Sequence, residues 1–158
     1  MSDAGWKTLW RISDYADLGG WGGVKFSSRW TSLGRRVVYM AESPAGALLE
    51  ILAHLEFVEG ELPDEYQLIE IAVPEELAVS DLQPRKESMW KEQPALTRRI
   101  GDIWLTTGET SLARVPSAIV PRTRNYLLNP MHPGAKKLEV REVIRARFDN
   151  RLLRFGAR

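Results

Sequence analysis

Apolar positions along this chain fall into short strand-like runs separated by charged, proline-rich or glycine-rich stretches, and two longer segments repeat at helical spacing. Residues 7–12 are a partly aromatic run that ends in the polar, glycine-rich segment 13–23, which predicts a strand followed by a loop. The β-prone run 37–41 stops just before Ser43-Pro44, a helix cap followed by a first-turn proline. The helix predicted there, 44–57, carries Ala47, Leu48, Ile51, Leu52 and Leu55 on one stripe, with Glu50 on the flank shared with His54.

Beyond it, residues 66–73 read as a strand between Pro63 and Pro74, and 74–94 as an irregular connection with at most one short helical turn. A second helix is predicted over 94–107, with Leu96, Ile100, Ile103, Trp104 and Thr107 as its buried stripe and Gly108 as its stop. The run 112–120 is β-prone but interrupted by Pro116, which predicts an edge strand or a bend that aims Ser117 into a pocket. Residues 121–133 read as turns built on Asn125, Asn129 and proline, and 138–148 as a final strand. The expected fold class is α+β: a single compact domain over residues 1–158, with a mixed or antiparallel β core flanked by helices.

Composition narrows the function classes. A chain of 158 residues with 44% apolar content can bury one sizeable core. The net charge of +1 hides a basic segment, 136–158, with eight basic and three acidic residues, so the rest is mildly acidic. That distribution lacks the basic stripe of a nucleic-acid binder and favours a solvated or partner-contacting tail. Cysteine is absent, which excludes disulfides, thiolate nucleophiles and cysteine-ligated zinc. No targeting segment or run of about 20 apolar residues occurs, so a cytoplasmic chain with no membrane partner is expected.

The candidate chemistry rests on Arg11, Glu50 and Ser117, three polar residues in apolar surroundings. Together an arginine, a carboxylate and a hydroxyl can hold an anionic ligand and stabilise a cation beside it, which suits a phosphate-bearing sugar. Singly, each has a plainer explanation: a flank glutamate is usually solvated, and a serine after proline is usually a turn. The two histidines, His54 and His132, have no ligand spacing, so no metal is expected. A Ser117, His132 and carboxylate hydrolase lacks the glycines of a nucleophile elbow.

The order of the segments resembles the RES domain. The resemblance runs through Leu9-Trp10-Arg11-Ile12, Ser28-Arg29-Trp30, Val37-Val38-Tyr39 and Ala47-Leu48-Leu49-Glu50. It ends on Val115-Pro116-Ser117-Ala118 and Asn125 to Pro133. One departure is that Ser27-Ser28 stand before Arg29, where the family often has a glycine pair. The resemblance implies a toxin of a bacterial toxin–antitoxin module that consumes NAD on an ADP-ribosyltransferase-like fold. It implies that Arg11 and Arg29 hold the phosphates and ribose of NAD, that Tyr39 stacks on nicotinamide or ribose, and that Glu50 and Ser117 line the reacting centre. The reaction is then cleavage of the nicotinamide–ribose bond by hydrolysis or phosphorolysis, with ADP-ribosylation of a host protein as the alternative and a non-catalytic binding module as the second. The implied partners are a helix-turn-helix (Xre-like) antitoxin, which takes any DNA contact, and a second copy in a homodimer.

Overall fold

Strand β1 (Trp6–Ile12) forms where the aromatic run predicts it, and the loop after it contains one helical turn, α1 (Gly22–Lys25), where no helix was expected. The structure is a computed structural model that describes residues 5–54 and 63–152. Strand β2 (Val38–Ala41) and helix α2 (Pro44–His54) are joined by only two residues. Ser43 caps α2 as expected: its Oγ accepts from the Gly46 N–H at 3.0 Å. The expected last turn of α2, including Leu55, lies outside the described residues.

Strand β3 (Glu65–Pro74) takes in Pro74, which the sequence places outside the strand. The stretch expected to be irregular supplies the short strand β4 (Val79–Asp81) and two 3-10 turns before helix α3 (Pro94–Thr107). Gly108, with φ +61°, ends α3 by donating its N–H to the Trp104 carbonyl, as the stop signal predicts. The buried side of α3 differs from the predicted stripe: Thr97, Gly101, Trp104 and Leu105 face inward, while Ile103 and Thr107 are exposed. Threonine and glycine occupy that side because the backbone of residues 29–31 lies against it, leaving no room for larger side chains.

β5 (Leu112–Pro116) and β6 (Arg124–Leu128) pair antiparallel, so residues expected to be turns contain a strand. Pro116 is tolerated because it is the last residue of β5, beyond the final β4–β5 pair at Asp81 and Arg114. β7 (Glu139–Arg147) forms where the final strand is predicted. The seven strands form one mixed sheet in the order β4-β5-β6-β2-β1-β3-β7, in which only β4 and β5 are parallel. The protein is α+β.

Alternation along the strands divides the core in two. One face gathers Leu9, Val38, Met40, Ile69, Ile71, Val73, Leu112 and Leu128. On the other, Ala113, Val115 and Leu127 pack against Trp30, Val37, Trp104 and Leu105. Tyr39 belongs to this second face, and the short turn from β2 brings α2 over the neighbouring strands.

Candidate functional site

Glu50 lies on the second turn of α2, and the β5–β6 hairpin comes up beneath it. Its Oε1 accepts two hydrogen bonds, from Ser117 Oγ at 2.9 Å and from Asn125 Nδ2 at 2.8 Å. Both donors come from the hairpin: Asn125 is the second residue of β6, and Ser117 directly follows β5. The carboxylate is half-buried, in contrast to the solvated helix flank that base rates favour. Glu50 Oε2 has no hydrogen bond among the described residues.

Ser117 is buried and its hydroxyl is fully committed. The hydrogen goes to Glu50, and the oxygen accepts from the N–H groups of Ile119 and Val120 at 3.1 and 3.2 Å. The bend at Ser117 therefore turns the hairpin and holds the glutamate at once. His132 Nδ1 accepts from the Gly134 N–H at 2.9 Å, capping a 3-10 turn, so no Ser/His/acid relay forms.

Tyr39 stands on the same sheet face, two residues along the ladder from Asn125: Tyr39 pairs with Leu127, and Ala41 with Asn125. Its hydroxyl bonds to Thr31 Oγ1 at 2.8 Å and to Ser28 Oγ, and those two hydroxyls lie 3.0 Å from each other. This buried cluster ties the loop 26–36 to the sheet. Burial pushes the Tyr39 phenol up from its ordinary value, while the bonds from Ser28 and Thr31 pull the other way. Tyr39 thus stays protonated in neutral solution. Between pH 10 and its raised native value the unfolded chain releases this proton while the folded one keeps it, so stability falls as pH rises. Thermal melts in alkaline buffer should show a shallower pH dependence for Tyr39→Phe than for wild type; parallel curves would mean that another group controls the alkaline limb.

Arg29 sits in the loop that covers this face, and its Nη1 donates to the Lys91 carbonyl at 3.0 Å. The loop is pinned to α3 at two further points, where Thr97 donates to the Arg29 carbonyl and Arg98 Nε to the Ser28 carbonyl at 2.6 Å. Arg11 is placed differently. It pairs with Ile69 in the β1–β3 ladder and alternates with Trp10, so it lies on the Leu9 and Met40 side of the sheet, across from Tyr39 and Asn125. Its Nη1 donates to the Asp17 carbonyl at 3.3 Å. Burial pushes its guanidinium pKa down, opposed by the charge of Asp17. The structure thus joins Glu50 to Ser117 and Asn125, sets Tyr39 on the Asn125 face of the sheet under the loop that carries Arg29, and puts Arg11 on the opposite face.

Two features of the site escaped the sequence. Asn125 was expected to form a turn, and instead it is a strand residue that donates to Glu50. Asn129 is the turn former: buried, it accepts from the Met131 N–H through Oδ1 at 3.0 Å. The usable signal for Asn125 was the β-prone run Tyr126-Leu127-Leu128 directly after it. The second omission is the pair of hydroxyls on Tyr39, because Ser28 and Thr31 are eleven and eight residues away in sequence and meet it only through the loop.

Comparison with known proteins gives the family. A family model described as the RES domain matches residues 8–149. The chain belongs to the RES domain family. A RES relative from Pseudomonas putida, named Toxin Res, is 46% identical over 132 residues, covering 84% of this chain and 90% of that protein. A second, from Sphingobium and named Prs ADP-ribosylating toxin, is 36% identical over 158 residues, covering 93% of this chain and 97% of its own length. Among solved structures, the M. tuberculosis MbcT–MbcA toxin–antitoxin complex matches with a TM-score of 0.71 at 18% identity, over 90% of this chain and 85% of that one, which shows that the fold is shared. No group of three or more His, Asp or Glu able to hold a metal occurs among the described residues, and none of their helices is long and apolar enough to cross a membrane.

Proposed function

We propose that this RES-domain chain is a toxin of a toxin–antitoxin module that cleaves the bond between nicotinamide and ribose in NAD, passing the ADP-ribosyl group to water or phosphate. The observation that carries this reading is Glu50, with Oε1 anchored by Ser117 and Asn125 and Oε2 left for a ligand. When the C1′–N bond breaks, its electron pair passes to the pyridinium nitrogen and neutralises it, so nicotinamide leaves without a general acid. Positive charge builds on C1′ and the ring oxygen, and a fixed carboxylate stabilises that oxocarbenium-like centre. The acceptor then adds at C1′ and sheds its proton. Ser117 serves this step by holding Glu50, since its own hydrogen is already committed.

Tyr39 shares a sheet face with Asn125, the donor to Glu50, with its hydroxyl held by the loop, and supplies the flat surface for nicotinamide or ribose. Arg29 presents a planar fork suited to the diphosphate. Arg11, across the sheet, ties down the Asp17 loop and acts on the site indirectly. Arg29→Ala should therefore weaken NAD binding roughly 10- to 100-fold, the worth of a charge-assisted pair, and Arg11→Ala less than about threefold. Titration calorimetry with NAD against catalytically inactive Glu50→Gln protein measures both; the reverse order would return Arg11 to the ligand.

A second acceptor is favoured by one observation, the Sphingobium relative named for ADP-ribosylating Prs. Incubating the protein with NAD and a cell lysate, while following nicotinamide release and protein-bound ADP-ribose together, separates the readings. Nicotinamide without labelled protein supports hydrolysis or phosphorolysis, and a single labelled band supports transfer to a protein. Neither signal would leave a binding module. An antitoxin partner is proposed by analogy with the MbcT–MbcA complex.

A further inference from the structure

Asn125 carries a contradiction. Its Nδ2 makes a 2.8 Å bond to Glu50, yet its Oδ1 is buried with no hydrogen-bond partner among the described residues. A buried acceptor without a partner forfeits its hydration for nothing, and such groups persist in folded proteins only where something else requires them. The neighbouring structure does not require it. Asn125 lies opposite Ala41 and beside the apolar residues Val115 and Leu127, where an apolar side chain would suit the strand better. What the amide alone supplies is the donor that meets Glu50.

We propose that Asn125 is a positioning residue for Glu50, kept at a cost to stability: its Nδ2, with Ser117 Oγ, fixes Oε1 so that Oε2 is the oxygen presented to the reacting sugar. One donor lets a carboxylate swing about a single contact. Two donors, one from β6 and one from the bend that follows β5, define its plane and leave one oxygen outward. Ser117 cannot do this alone, because the same oxygen atom accepts two backbone N–H groups and follows the turn wherever it moves. The inference rests on the proposed NAD reaction for its kinetic consequence, but the clamp itself does not depend on the substrate.

Two substitutions test it. Asn125→Ala removes both the donor and the unpaired acceptor. Turnover should fall roughly 10- to 100-fold, the worth of a hydrogen bond to a charged group. KM should change less than about threefold, and the melting temperature should hold or rise. A purely structural residue would lose stability and activity together, and that result, or turnover within twofold of wild type, overturns the proposal. Asn125→Asp keeps the shape but sets a second carboxylate against Glu50, replacing the donor with a repelling acceptor. In carbon-detected NMR spectra at neutral pH, the Glu50 carboxyl resonance of this variant should move from its wild-type position. An unmoved resonance overturns the clamp even if the protein never acts on NAD. Wild-type protein that leaves NAD intact would instead sink the proposed reaction, with the spectra still deciding the clamp.

Discussion

Glu50→Gln should lower NAD turnover by roughly 10²- to 10³-fold or more, the scale lost when a preorganised electrostatic contact to the transition state is removed. The melting temperature should stay within a few degrees of wild type. Glutamine fits the same space, and its amide oxygen can still accept from Ser117 and Asn125, so the hairpin contacts survive. What disappears is the negative charge. The amide NH₂ then faces the sugar, presenting a partial positive charge where a cation develops. Because ground-state contacts are nearly unchanged, KM should move little and kcat should carry the loss. Nicotinamide release by both proteins, with circular dichroism as the fold control, measures this. A variant that retains a tenth or more of wild-type turnover would exclude Glu50 as the stabilising carboxylate.

The second large effect is on the scaffold. A Cβ added at Gly101 would lie 1.7 Å from the carbonyl oxygen of Trp30 and 2.8 Å from its carbon. Those are backbone atoms, so no side chain can rotate away, and either α3 or the loop must move. Gly101→Ala should destabilise the protein by about 3 kcal/mol or more, a drop of roughly 6–12 °C in melting temperature, although alanine is the better helix former by about 1 kcal/mol. The displaced segment carries Arg29, together with Ser28 and Thr31 that hold the Tyr39 hydroxyl. Activity at temperatures well below the melt should therefore fall too, through KM. Thermal melts and NAD kinetics on this variant check both parts; a melting temperature at or above wild type would mean that α3 does not press on the loop as described.

These two sites show how differently the parts of the molecule were legible. Glu50 and Ser117 were named from the sequence because each is polar in apolar surroundings, and Ser43-Pro44 placed α2 correctly because a cap and a first-turn proline act locally. The stripe of α3 was misplaced by about one residue. Periodicity identifies an amphipathic helix, but the residues facing inward were Thr97 and Gly101, which count as polar or neutral in any hydrophobic pattern. Their inward position is set by the close approach of another chain segment, which leaves no mark on the helix itself. Likewise β4 and β6 are short, and their pairing with β5 outweighs the proline and asparagine that suggested turns. Tertiary pairing overrides weak local preference in such segments.

By itself the sequence determined the α+β class, the cap and stop of the helices, the apolar strands, and the residues whose types suit chemistry on a charged sugar. These follow from local rules: period, turn residues and the cost of placing a charge among apolar neighbours. Only the tertiary structure decided which of those residues meet. Strand alternation sends Arg11 to one side of the sheet and Tyr39 to the other, and that parity depends on register across β1, β2 and β3 rather than on any one segment. The pairing of Glu50 with Asn125 spans 75 residues and exists because the β5–β6 hairpin is pinned under α2. A hydrogen bond of that range is a property of the packed sheet, so no local pattern in the chain could have announced it.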